Sequence, residues 1–408
     1  MMKKAAYPLF YIFFALVFVS CTRNDNKDCL NEDPVSAKRT VLIYMAASNS
    51  LDPFGDDDIA EMEQGIVDVN DLANCNVLLY LQKGRGAKRK QPVLKKLIRS
   101  KEPGSSNYIG EWEDVKVYPK QNSVSVEVME QVFTDAYTEF QANQYGLVLW
   151  SHADGWLEGT PQSNTRWYGE DQLDGNSYTM DIKDLNRALE KAPHLDFILF
   201  DCCLMQSVEV AYEIQDKADF MLGSPAEIPG PGAPYQKLIP ILYQDKKYIV
   251  EDLASAYYKY YEETYTGSSS GNYPWEGGVS MTVLDLSHVA SFARATKELL
   301  DRTDLNYLDL YSTDVFHYDP RIGGLRYYHD LYGVIESSIS TITTWDASFK
   351  KLVVYYQTTA TNYSGVAHKD FSMSGSHGIS MYIPKNELNY ESVNKYYENL
   401  AWSKYMMN

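Results

Sequence analysis

GLVLWSHADGW, residues 146–156, and LDFILFDCCLMQSVEVAYEI, residues 195–214, decide how this chain is read. Each begins as a nearly unbroken apolar run of strand length, the pattern of a strand covered on both faces of a parallel sheet. The first run ends at Ser151-His152 and turns through Ala153-Asp154-Gly155; the second ends at Asp201-Cys202-Cys203. Ligands of open α/β sheets bind at the carboxyl ends of the strands, so a histidine on one end and a cysteine on another are placed to meet. Side chains alternate along a strand, which puts Leu199, Asp201 and Cys203 on one face and Phe200 and Cys202 on the other. Cys203 is therefore expected to share a pocket with Asp201, and Cys202 to point into packing. A helix expected over 205–217 would begin just after Cys203, where its dipole and a nearby imidazole would favour the thiolate.

The rest of the chain fits around these two strands. Residues 40–46 (TVLIYMA), 76–82 and 219–223 read as further buried strands, and 93–98 and 115–118 as peripheral ones. Helical periodicity over 56–67, 125–140 and 180–192 separates them, so strands and helices alternate as in an α/β sandwich with a mostly parallel sheet. From about residue 233 the texture changes to tyrosine-rich helical stretches over 236–245, 250–265 and 288–304, with strand-like segments at 278–286 and 378–383. This predicts one unit over 38–232, which carries both decisive strand ends, and a helix-rich subdomain over 233–408, with the tyrosines supplying packing surface.

The N-terminal 21 residues read as an export signal. Lys3 and Lys4 precede an apolar run over 5–20 that is shorter than the roughly 20 residues a spanning helix needs. The run ends at Phe18-Val19-Ser20-Cys21, which is similar to a bacterial lipobox and predicts a lipid on Cys21 and residence in the cell envelope, periplasmic or on the outer membrane. Residues 22–37 are polar and aperiodic, a tether. Without the two signal lysines the chain carries 35 basic against 55 acidic residues, a net −20, where the whole chain is −18. So acidic a protein is unsuited to nucleic acid, which needs basic patches. Five cysteines, two of them adjacent, give neither a disulfide framework nor a zinc spacing.

The two decisive segments resemble the clostripain family of cysteine peptidases, clan CD relatives of the caspases, in which one strand ends in N-H-G-x-G-W and another in D-A-C-L-M. The counterparts are Ser151-His152-Ala153-Asp154-Gly155-Trp156 and Asp201-Cys202-Cys203-Leu204-Met205, with supporting segments at 45–51, 223–227, 232–235 and 378–384. The resemblance spans about 38–408 and implies a caspase-like α/β/α sandwich and acyl transfer by a His152–Cys203 dyad. It further implies an oxyanion hole from the backbone N–H groups of Ala153 and Cys203, and an S1 carboxylate, Asp201, that takes Arg or Lys at P1. Alanine stands where the family has glycine after the histidine, so this hole requires a negative φ at Ala153. The resemblance implies no cofactor. Some relatives use calcium, but Asp56-Asp57-Asp58 reads as helix-start charge without EF-hand spacing; no metal site is predicted, and calcium dependence stays open.

The stretch 157–179 is rich in Gly, Ser, Asn, Gln and Asp and predicts an exposed loop, in which Arg166 is the one basic residue. Since family members are often cut between the histidine and cysteine strands, the Arg166–Trp167 bond is the expected self-cleavage site. The alternative reading is a catalytically inactive caspase-like binding lipoprotein. His194, His288, His317, His329, His368 and His377 lack motif context and are read as structural or exposed.

Overall fold

Residues 41–47 are wholly buried, which a strand achieves only with both faces covered. This strand, β1 (Ala37–Ala47), sends Leu42, Tyr44 and Ala46 into one core and Val41, Ile43, Met45 and Ala47 into the other. The computed structural model describes residues 37–157, 168–267, 275–310, 314–321 and 324–407. Along the chain follow β2 (Cys75–Lys83), β3 (Val93–Lys101), β4 (Tyr108–Val117), β5 (Ala142–Trp150), β6 (Tyr168–Leu173), β7 (Asn176–Met180), β8 (Leu195–Asp201), β9 (Ala218–Gly223) and β10 (Ser280–Asp285). The last strands are β11 (His329–Asp330), β12 (Val353–Thr358), β13 (Thr361–Ser364), β14 (Lys369–Ser372) and β15 (Ser380–Met381).

Among the described residues, nine strands form one sheet in the order β12-β10-β9-β8-β5-β1-β2-β3-β4. β2, β1, β5, β8 and β9 are parallel; β3 and β4 extend the sheet antiparallel on one side, β10 and β12 on the other. Helices Asp52–Ile66, Tyr235–Leu242 and Val250–Thr264 cover one face through Met62, Leu238 and Tyr257. Helices Val126–Glu139, Ile182–Ala188 and Val289–Thr303 cover the other through Phe133, Leu185 and Phe292. The fold is thus a caspase-like α/β/α sandwich. Its parallel strands run outward from β1 to β2 and then cross back to β5, so the strand order reverses between β1 and β5. Crevices open at the carboxyl ends of strands at such a reversal.

Three expectations need correction. The division at 232/233 does not divide the fold: β10 and β12 belong to the same sheet as β1, two of the helices after 233 cover one of its faces, and residues 36–408 form one unit. Helix-rich composition marked the layers that cover the sheet. The helix expected over 205–217 is only Val208–Glu213, started by Ser207, whose Oγ accepts from the Val210 N–H. Leu204 adopts a left-handed φ of 61°, which no helix can include. The stretch 157–179 is not all loop, because β6 and β7 form a hairpin within it. Cys21, the signal and all but the last residue of the 22–37 tether, together with Arg166, lie outside the described residues. Among those described, no helix is long and apolar enough to cross a membrane.

Candidate active site

Five residues with chemical potential converge on one cavity of about 310 Å³: His152 just past β5, Asp201 at the end of β8, Cys203, Glu227 and His368. Trp150 and Gly232 form part of its wall. Asp201 keeps the strand phase: it lies on the face of Leu199, whereas Phe200 and Cys202 are buried in the opposite core. β8 stops at Asp201, so alternation no longer governs Cys203. The turn that follows brings its thiol, partly exposed, to the same cavity, while Cys202 is only 1% exposed.

Each side chain is held by residues distant in sequence. Ser50, in the turn after β1, places Oγ 2.6 Å from His152 Nε2. That turn is anchored by Asn49, whose Nδ2 donates to the Ala46 carbonyl, to Ser151 Oγ and to the Glu170 carbonyl. Burial holds the His152 imidazole below its ordinary value, with Glu170 opposing. Burial pushes the Cys203 thiol well up, the Glu227 carboxylate adds to this, and the Ile228 N–H, 3.4 Å from Sγ, opposes it. The expected helix-start support for a thiolate is therefore corrected: the helix begins only at Val208, so its dipole field has decayed before Cys203.

Ala153 meets the requirement set by its side chain. Positive φ among the described non-glycine residues is confined to Asp174, Leu204, Asp304 and His368. The residue bridges Tyr168 while the Gly169 N–H donates to the His152 carbonyl at 2.8 Å. In that antiparallel register Ala153 holds a non-hydrogen-bonded position, and its N–H points away from β6.

Asp201, 2% exposed, accepts from the Ala233 N–H at 3.1 Å, Tyr235 Oη at 2.9 Å and Tyr257 Oη at 3.0 Å. Behind it Asp58 accepts from Trp150 Nε1 at 2.7 Å, and Glu61 from the Tyr235 N–H at 2.9 Å. Burial raises all three carboxyls: Asp201 to about 6, Glu61 to about 7, and Asp58 well above the usual range. Tyr235 and Tyr257 thus do more than pack. Glu227 accepts from Ser364 Oγ at 2.6 Å and the Gly365 N–H at 2.8 Å, tying the tip of the β13–β14 hairpin, which carries His368, to the cavity. Sequence reasoning passed over Ser50, Glu227, Asp58 and His368. Ser50 and Glu227 lie in stretches that carried the resemblance, and that placement was the available signal. Among the described residues no group of three or more His, Cys, Asp or Glu is placed to hold a metal.

A sheet of this topology, with a cysteine and a histidine from two adjacent parallel strands facing one cavity, defines the class of the caspase-like cysteine endopeptidases. A model of the clostripain family matches residues 43–407, and the chain belongs to that family. It is similar to a secreted C11 cysteine protease from Bacteroides thetaiotaomicron, solved with an irreversible peptide inhibitor: 36% identity, TM-score 0.79, covering 91% of this chain and 99% of that one. An inactive zymogen C11 protease from Parabacteroides distasonis is 28% identical with a TM-score of 0.75, covering 92% of this chain and 100% of that one. Clostripain of Hathewaya histolytica is 24% identical over 220 residues, which is 49% of this chain and only 41% of that protein's length.

Proposed function

We propose that the chain is an exported cysteine endopeptidase that cleaves after Arg or Lys, with Cys203 as nucleophile and His152 as proton carrier. The observation that carries the reading is the buried carboxylate of Asp201 in the cavity that Cys203 and His152 line. A cationic side chain entering there gains a charge-assisted hydrogen bond and neutralises a charge otherwise buried at a cost. In the first step His152 takes the Sγ proton as sulfur bonds to the scissile carbonyl carbon. It then gives that proton to the departing amine as the C–N bond breaks. Water, losing a proton to the imidazole, cleaves the thioester and restores the thiol. The N–H groups of Ala153 and Cys203 stabilise the oxyanion. The scheme requires no cofactor.

Peptidyl ketones that alkylate cysteine, built with Arg, Lys or Asp at P1, test this by mass analysis of the labelled peptide. The Arg and Lys reagents are expected on Cys203 and the Asp reagent on nothing. Equal labelling by the Asp reagent overturns the P1 assignment. No labelling by any of them favours the inactive binding lipoprotein instead.

Export is supported by the signal-like N-terminus and by the secreted Bacteroides relative; the lipobox-like Cys21 would anchor the protein in the cell envelope. Self-processing is supported by a relative that exists as an inactive zymogen. Arg166 follows β5 and precedes β6, in a polar stretch where nicking concentrates. Purified wild type is expected to run as two fragments, and Cys203→Ala and Arg166→Ala as one. A fully active single-chain wild type removes the processing step and leaves the peptidase assignment standing.

A further inference from the structure

Asp154 is an unusual neighbour for an oxyanion-binding loop. It sits between Ala153 and Gly155, is 4% exposed, and does not line the cavity. Its carboxylate pairs with Arg321, whose side chain is 9% exposed. Arg321 Nε also donates to Asp319 Oδ2 at 2.9 Å. Asp319 is itself fixed by the N–H groups of Tyr327 and Tyr328, at 3.1 and 3.2 Å. Tyr328 then closes the arrangement by donating its hydroxyl to the Asp154 carbonyl. The guanidinium stacks on Tyr327, 5.1 Å from the ring centre.

The clamp bears on the site through Gly155. This residue has a φ of 62°, and a Cβ on it would lie 2.4 Å from Tyr328 Oη and 2.7 Å from the Leu204 carbonyl. The turn after the histidine is thus wedged between Tyr328 and the residue that follows the nucleophile. Two loops, 152–155 and 203–204, would supply the oxyanion donors, and they touch here with Arg321 and Tyr328 behind them. A buried ion triad stabilises little in itself, because desolvation offsets its attraction. Its effect here is to fix where the Ala153 N–H points.

We propose that Arg321, with Asp319 and Tyr328, is a positioning residue that sets the oxyanion-binding geometry of loop 152–155 through Asp154. The inference rests on the peptidase reading above. It predicts a defect confined to carbonyl chemistry. Alkylation of Cys203 by iodoacetamide reads the thiol and imidazole but involves no oxyanion, whereas amide hydrolysis needs all three.

Asp154→Asn, Arg321→Met, Arg321→Lys and Tyr328→Phe would be made in the full chain. They would be assayed for kcat and KM on an Arg peptide amide, for iodoacetamide alkylation, and for Tm. Losing one oxyanion donor costs about 10²–10³ in kcat. Misaiming it through Asp154→Asn or Arg321→Met is expected to cost about 10- to 100-fold, with KM and alkylation within about threefold of wild type. Arg321→Lys keeps a charge for Asp154 and should recover part of the loss. Tyr328→Phe, which removes a single hydroxyl and is the safeguard should the ion-pair variants not fold, should lower kcat several-fold. An active wild type with Tyr328→Phe and any folded Asp154→Asn equally active overturns the clamp alone. So do variants in which kcat and alkylation fall together while KM rises, since that marks a purely structural role. A wild type that hydrolyses no peptide amide overturns the peptidase reading, and the clamp with it.

Discussion

Cys203→Ala is expected to abolish peptide hydrolysis, by at least about 10³-fold as for other catalytic nucleophiles, while Cys202→Ala retains most of the activity. The two thiols are adjacent and chemically identical, so only their surroundings separate them. Cys202 is 1% exposed in the apolar core between the sheet and its helices, where burial pushes its thiol well above the ordinary value. Truncating it removes one sulfur from that packing and touches nothing in the cavity. Cys203 reaches the cavity that His152 lines. Burial pushes its thiol up and the His152 imidazole down, and both shifts favour attack coupled to proton transfer between the two. Among the described residues no hydrogen bond joins the two side chains, and Ser50 holds His152 Nε2; dyads often tighten only once substrate is bound. Rates on an Arg peptide amide for both variants, with Tm measured alongside, decide the matter. Loss of activity in folded Cys202→Ala with Cys203→Ala still active would move the nucleophile by one residue.

What could be read in the sequence followed from burial. Five strands covered on both faces left apolar runs, and where such a run ends in His152 or in Asp201-Cys202-Cys203 the fold itself sets the site. The Asp201/Cys202 alternation was legible for the same reason, since strand periodicity holds as far as Asp201. Beyond it Leu204 turns left-handed, and a helical pattern over 205–217 gave no sign of that. The β6–β7 hairpin is polar and half-exposed, so its residues resemble a loop in composition. Antiparallel β10 and β12 extend the sheet from a region whose helices dominate its texture. The supports of the site lay hidden for a different reason: Ser50 and His152 are 102 residues apart, Asp154 and Arg321 are 167 apart, and single polar pairs at such distances leave no periodic trace. Tyr235 and Tyr257 looked like packing residues because their rings do pack, and only their hydroxyls reach Asp201.

Those hydroxyls set up the second large effect, the loss of recognition in Asp201→Asn. Asp201 already accepts three hydrogen bonds, so a substrate cation finds a fixed carboxylate and need not reorganise the site. Asparagine keeps the size and removes the charge. A hydrogen bond to a charged group contributes about 1.5–3 kcal/mol, so kcat/KM on Arg substrates should fall about 10- to 150-fold. The pH dependence follows from the same burial. Asp201 titrates at about 6, well above an ordinary carboxyl, so in the free protein it is neutral below that pH and charged above it. The kcat/KM for Arg and Lys substrates should therefore fall as the pH drops through about 6. The limb in kcat should sit lower, because the bound cation favours the ionised form. His152 is held below its ordinary value and stays neutral further down, so a citrulline substrate, uncharged at P1, should lose the limb near 6. Stability runs the other way. A carboxyl raised in the folded state disfavours folding as the pH rises from its unfolded value through about 6. Removing the charge relieves that burden at neutral pH, so an unchanged or higher Tm is expected, and lost recognition cannot then be ascribed to unfolding. Should Asp201→Asn cleave Arg substrates as well as wild type does, the specificity carboxylate must be sought in Glu227, the other carboxylate that lines the cavity.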